Sequence, residues 1–205
     1  MSEAARQVLP GGLAVCAHPV TRPWPAPAAY PAGMDVADDG ARLAADLAAR
    51  LAELTFADLD QGGVTARLVD ASVAWAQQQG WRAYRRAASV VPLPPPLQHR
   101  QSVLDVACAR PDAPPVVIEV DHTDRKRTVE KLAAEARAGR VAIWVRWGTG
   151  RFTAPPAPVH LVTLEVVRRP GARFSYPAVE PPPAPRHSGA APHTGEPQLL
   201  PLPGE

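Results

Sequence analysis

The sequence predicts an α/β domain on a mixed central sheet, its core running helix-strand-strand-strand-helix-strand. Three observations predict it. A segment of helical period, "RTVEKLAAEARAGR", lies between "PVVIEVD" and "VAIWVRW", two runs rich in β-branched and aromatic residues, and a helix between two strands implies a parallel crossover. The connection "RPDAPP" between "SVLDVACA" and "PVVIEVD" is short enough to imply an antiparallel hairpin, so the sheet mixes both senses. The 26 prolines of the 205-residue chain crowd toward its two ends, which assigns residues 1–38 and 177–205 to disordered Pro-rich tails and 39–176 to the domain.

Each element has its own signal. Leu43, Leu47, Leu51 and Leu54 recur at helical spacing between Arg and Asp residues, marking an amphipathic helix over 41–54. A second helix is expected to begin after Gly62-Gly63, with Leu68, Val69, Ser72, Val73 and Ala76 on one stripe and Gly80 as a left-handed cap. The period then shifts toward two: strands are expected over 81–91, 102–109, 115–121, 141–147 and 159–167. The helix between the strands at 115–121 and 141–147 runs over 127–140, with Val129, Leu132, Ala133 and Ala136 facing the core.

Composition sets outer bounds on function. A net charge of +2 does not announce a nucleic-acid partner, although "WRAYRRAA" and "DRKRTVEK" are local basic islands. Cys16 and Cys108 make no disulfide framework and favour a reducing compartment. The chain contains neither a signal-peptide pattern nor a run of about 18 apolar residues, so a cytoplasmic protein without a membrane span is expected.

The chemistry concentrates in "VVIEVDH". Glu119 and Asp121 interrupt an otherwise apolar strand, and burying a charge without a partner is costly. If the hairpin is symmetric about Asp112, residues whose numbers add to 224 face one another and Asp105 lands opposite Glu119. Asp121, two residues on, shares the face of Glu119. Three clustered carboxylates repel unless a hard cation such as Mg²⁺ or Mn²⁺ sits among them, so Asp105, Glu119 and Asp121 are the candidate metal ligands. His122 is a candidate proton shuttle or extra ligand, while Trp144 and Trp147 read as packing residues.

This order of elements, the Asp of "SVLDVA" and the acidic pair of "VIEVD" resemble the PD-(D/E)XK nuclease superfamily over about residues 64–147, and the segment from Val117 to Gly148 is also similar to actinobacterial proteins of that fold class. The resemblance implies a restriction-endonuclease-like fold and Mg²⁺- or Mn²⁺-dependent hydrolysis of phosphodiester bonds in DNA or RNA. It implies Asp105 and Glu119 as the metal-binding acids and places Asp121 where the pattern has a lysine. Some members supply that lysine from the following helix, which makes Lys131 or Lys126 its counterpart here; Lys131 joins the three acids as a catalytic candidate. Arg100, Arg125, Lys126 and Arg127 are the candidate phosphate contacts. The alternative is a catalytically degenerate nuclease-fold module that binds nucleic acid, or a partner protein through its Pro-rich tails. A small-molecule site for a basic ligand is a third reading.

Overall fold

A computed structural model describes residues 36–177 of the chain. Helix α1 (Val36–Ala52) is followed by strand β1 (Phe56–Leu59), helix α2 (Gln61–Gln78), strands β2 (Arg82–Pro92), β3 (Gln101–Ala109) and β4 (Val116–Asp121), and helix α3 (Lys126–Arg137). Strands β5 (Val141–Gly148), β6 (Val159–Glu165), β7 (Val167–Arg169) and β8 (Arg173–Tyr176) complete the fold. The described residues thus form a mixed α/β structure with three helices and two sheets. From α2 to β5 the order is the expected helix-strand-strand-strand-helix-strand.

The large sheet has the order β2-β3-β4-β5-β6, antiparallel through β4 and parallel from β4 to β6. One face carries Val106, Cys108, Ile118, Val120 and Ile143 against the leucine stripe of α1 and the apolar side of α2. The other carries Leu104, Ala107, Val117, Ala142 and Trp144 against Leu132 of α3. With both faces covered, β4 and β5 are buried throughout, which explains why they lack the alternation of a half-exposed strand. Burial pushes the Cys108 thiol up to about 12, so it packs as a small apolar group.

Several boundaries differ from the sequence expectation for physical reasons. Helix α1 starts at Val36, inside the stretch assigned to the N-terminal tail, and stops before Leu54. Asp39 in its first turn is fixed by Arg110, which reaches back from the end of β3 and lies 5.0 Å over the Trp81 ring. The remaining tail residues, 1–35 and 178–205, lie outside the described residues, as does Cys16.

Helix α2 begins ahead of Gly62-Gly63, because Asp60 accepts from the Gly63 N–H at 2.7 Å and caps it. Its C-terminus follows expectation: Gly80 has φ +77°, and the Trp81 N–H returns to the Ala76 carbonyl. The second sheet, β1-β8-β7, was not foreseen. It joins Phe56 to Tyr176 and Leu59 to Phe174, and its strands are too short for a period-two pattern to show.

Candidate functional site

The site is built where β3 and β4 part. Their ladder pairs Cys108 with Val116, Ala107 with Val117 and Val106 with Ile118, the register in which residue numbers add to 224, and ends there. Asp112, at the centre of the connecting turn, has φ +52°, as a tight reversal about that residue requires.

Beyond the last rung, side chains replace the missing backbone partners. The Asp105 N–H donates to Glu119 Oε1 at 3.3 Å, and the Val120 N–H donates to Asp105 Oδ2 at 2.9 Å. The two carboxylates are therefore held across the opening by the strands themselves.

The parting coincides with an irregularity in β2 and β3. Side chains of Tyr84 and Ala87 meet the α3 side of the sheet, as do those of Leu104 and Ala107, so each strand inserts one residue into the regular alternation. The irregularity falls at Arg86 and Asp105, which lie across from each other between the Arg85–Val106 and Ala87–Leu104 pairs. Arg86 takes φ +52°, a left-handed conformation unusual for a residue with a long side chain. Beyond this point Ser89, Val90 and Val103 of the β2–β3 hairpin reach Glu135 and Lys131 of α3.

Helix α3 is fastened to that hairpin by two side chains one turn apart. Lys131 Nζ donates to the Val103 carbonyl at 2.7 Å and lies 2.7 Å from Glu119 Oε1. Glu135, fully buried, accepts from Ser89 Oγ at 2.5 Å and from the Val90 N–H at 2.8 Å through Oε1, and pairs with Arg140 through Oε2. Thr128, Lys131, Leu132 and Glu135 thus form the buried stripe of α3. Their spacing of three, one and three residues is itself helical, so a stripe that admitted polar residues was the signal for both side chains.

Burial pushes the Glu119 carboxyl up to about 7, against the pull of Lys131 and helped by the nearby Asp105 charge. Asp105 is also raised, again chiefly by burial, while the Val120 N–H and the charge of Lys131 oppose the shift. Glu119 therefore holds its proton more tightly in the folded protein than in the unfolded chain, and its contribution to stability is lost as pH rises from about 4.5 to 7. In the presence of a chelator, the stability advantage of wild type over Glu119→Gln should shrink by about 3 kcal/mol between pH 4.5 and 8. Denaturant melts of the two proteins at a series of pH values measure it, and a constant difference would contradict the assignment.

The remaining sequence candidates divide. Asp121 shares the α3 side with Glu119, but its Oδ2 accepts from Trp144 Nε1 at 3.0 Å and its Oδ1 lies 3.5 Å from Arg125 Nε. Among the described residues no group of three or more His, Cys, Asp or Glu side chains is gathered as a metal site; Asp105 and Glu119 form a hydrogen-bonded pair at the opening, and the Asp121 charge acts on both. That pair fits a hard cation: Mg²⁺ is commonly held by one or two carboxylates and completes its shell with water and substrate oxygens. Here Oδ1 of Asp105 and Oε2 of Glu119 are the oxygens not used in the strand-to-strand hydrogen bonds.

His122 is turned to the opposite face, 4.2 Å from the Trp147 ring and 5.3 Å from Phe174, so it packs there and is neither the candidate shuttle or ligand beside the acids nor a solvated strand-end histidine. The period of two accounts for this, since it separates residue 122 from 119 and 121. Trp144 and Trp147 are both buried, on opposite sides of β5.

Arg125 and Lys126 open α3 and line a cavity of about 230 Å³ with Val129, Trp144 and Pro155. Lys126 is exposed and paired with Glu130 at 3.6 Å. Arg127 reaches the Pro92 carbonyl, and Arg100 is exposed in the β2–β3 turn.

The sequence matches no protein-family profile, and comparison with curated proteins finds no significant relative. Among solved structures the chain is similar to one in the refined half-complex from the tetradecameric assembly of Thermococcus gammatolerans McrB AAA+ hexamers with bound McrC. The likeness covers 52% of this chain and 28% of that one, at 11% identity and a TM-score of 0.33, too slight to bear on fold or function.

Proposed function

We propose that the protein is a nuclease-like domain of the PD-(D/E)XK type, with a restriction-endonuclease-like core, that hydrolyses phosphodiester bonds in DNA or RNA with Mg²⁺ or Mn²⁺. The observation that carries this reading is the constellation of half-buried Asp105 with buried Glu119 and Lys131 at the parting of β3 and β4. Two carboxylates on opposed strands and a lysine from the following helix are the parts that such hydrolysis needs, although Asp121 stands at the usual lysine position.

In this reading Asp105 and Glu119 hold the cation, which supplies charge neutralisation at the phosphate and makes a water easier to deprotonate. Lys131 keeps Glu119 in place and presents positive charge to the phosphate, seated by the Val103 carbonyl. Asp121 buttresses the floor through Trp144 and restrains Arg125, whose exposed guanidinium faces the groove at the start of α3. Arg100, Lys126 and Arg127 offer further charge for backbone phosphates. The internal neutralisation of Glu119 by Lys131 favours, as a second reading, a module that binds nucleic acid without cutting it. Among the described residues no helix is long and apolar enough to cross a membrane.

Metal titration tests the proposal independently of substrate. Mn²⁺ should bind the full chain at one site, followed by calorimetry, and Asp105→Asn should weaken that binding by at least about 10-fold. Equal binding by the variant, or none by wild type, would contradict it.

A further inference from the structure

We propose that Arg86 is a phosphate-contacting residue of this site, supplying from β2 the mobile positive charge that Lys131 cannot. The inference rests on the proposed nuclease reading and deepens it.

Charge balance gives the first reason. Asp105 and Glu119 place two acidic groups at the opening, and the cation built into it, Lys131, is buried and already engaged by Glu119 and the Val103 carbonyl. A phosphate drawn to the cation that Asp105 and Glu119 would hold in this reading still needs a side chain that can follow it. Arg125 is directed to Asp121, and Lys126 to Glu130.

Arg86 meets the requirement. It lies across from Asp105 between the Arg85–Val106 and Ala87–Leu104 pairs, is exposed, and forms no ion pair with a carboxylate among the described residues. Its guanidinium is suited to grip two phosphate oxygens at once.

The backbone gives the second reason. A left-handed residue in the middle of a strand is most easily a glycine, yet this position holds an arginine at φ +52°. The conformation falls at the irregularity beside which β3 and β4 part. The side chain is not buried by the fold, since Arg86 is exposed to solvent. Function is then the use left for it.

The test compares wild type, Arg86→Gly and Arg86→Lys in the full chain, using a labelled DNA duplex with Mn²⁺ for cleavage and with Ca²⁺ for binding. Glycine suits the backbone, so the melting temperature of Arg86→Gly should be equal or higher. Its kcat/KM should fall about 10- to 100-fold, the loss expected for one charge-assisted hydrogen bond, and the salt dependence of binding should weaken by about one phosphate contact. Arg86→Lys should recover much of the salt dependence but only part of the cleavage. Unchanged cleavage and salt slope in Arg86→Gly, with wild type active, would overturn the role of Arg86 and leave the site intact. Wild type that neither binds nor cleaves would overturn both readings, and a loss traced to a lowered melting temperature would make Arg86 structural.

Discussion

Glu119→Gln is expected to reduce Mn²⁺-dependent cleavage by about 100-fold or more while leaving the domain at least as stable at pH 8. Glutamine keeps the shape, and its Oε1 can still accept from the Asp105 N–H and from Lys131, which now hold Glu119 at 3.3 and 2.7 Å. What disappears is the charge. A metal ligand should cost more than the 10–100-fold typical of losing a partner one layer out. The stability side follows from burial, which already opposes ionisation of Glu119 strongly enough to hold its carboxyl near pH 7. Replacing a charge that the fold resists with a neutral amide relieves that penalty. Single-turnover cleavage and thermal melts on the same preparation separate the two effects. A variant that unfolds readily but cuts normally would make Glu119 a structural residue.

The largest loss of stability is expected from Glu135→Ala, about 3–5 kcal/mol, the cost of breaking a buried ion pair. Glu135 is fully enclosed and accepts hydrogen bonds from Ser89 Oγ, the Val90 N–H and Arg140, so its removal strips the hairpin and the end of α3 of their shared acceptor. Because Lys131 lies one turn earlier on the same stripe, loosening this clasp should also misplace the lysine. Cleavage should therefore fall at temperatures where the variant is still folded. Chemical denaturation measures the first effect and activity well below the melting temperature the second. A loss under about 1 kcal/mol would mean that Glu135 and its partners find equivalent hydrogen bonds in water.

The part of this site that could be read from the sequence was its register. A turn centred on Asp112 between two apolar runs leaves few ways to pair them, and the pairing of Val106 with Ile118 is the one that symmetry dictates. Asp105 and Glu119 follow directly. The burial of Lys131 and Glu135 was harder to read, because a helical face is normally found by its apolar residues and α3 buries charged ones on the stripe of Leu132.

Arg86 was illegible for a different reason: nothing in "YRRAAS" signals a left-handed residue, since glycine and asparagine are the types that normally mark one. The small sheet was hidden by distance, with Phe56 and Tyr176 pairing across most of the domain. Asp121 illustrates a limit of motif reading. Its alternation with Glu119 set the face correctly, but the indole N–H of Trp144 decided where its carboxylate turned.

The most direct measurement is cleavage of single- and double-stranded DNA and RNA by the full chain, with Mn²⁺ or with a chelator, beside Asp105→Asn. The expected result is cutting of at least one substrate that requires Mn²⁺ and is lost in the variant, whose melting temperature stays close to wild type. Absence of cleavage on all four substrates at saturating Mn²⁺, or cleavage that persists in Asp105→Asn, would contradict a phosphodiesterase centre at the parting of β3 and β4.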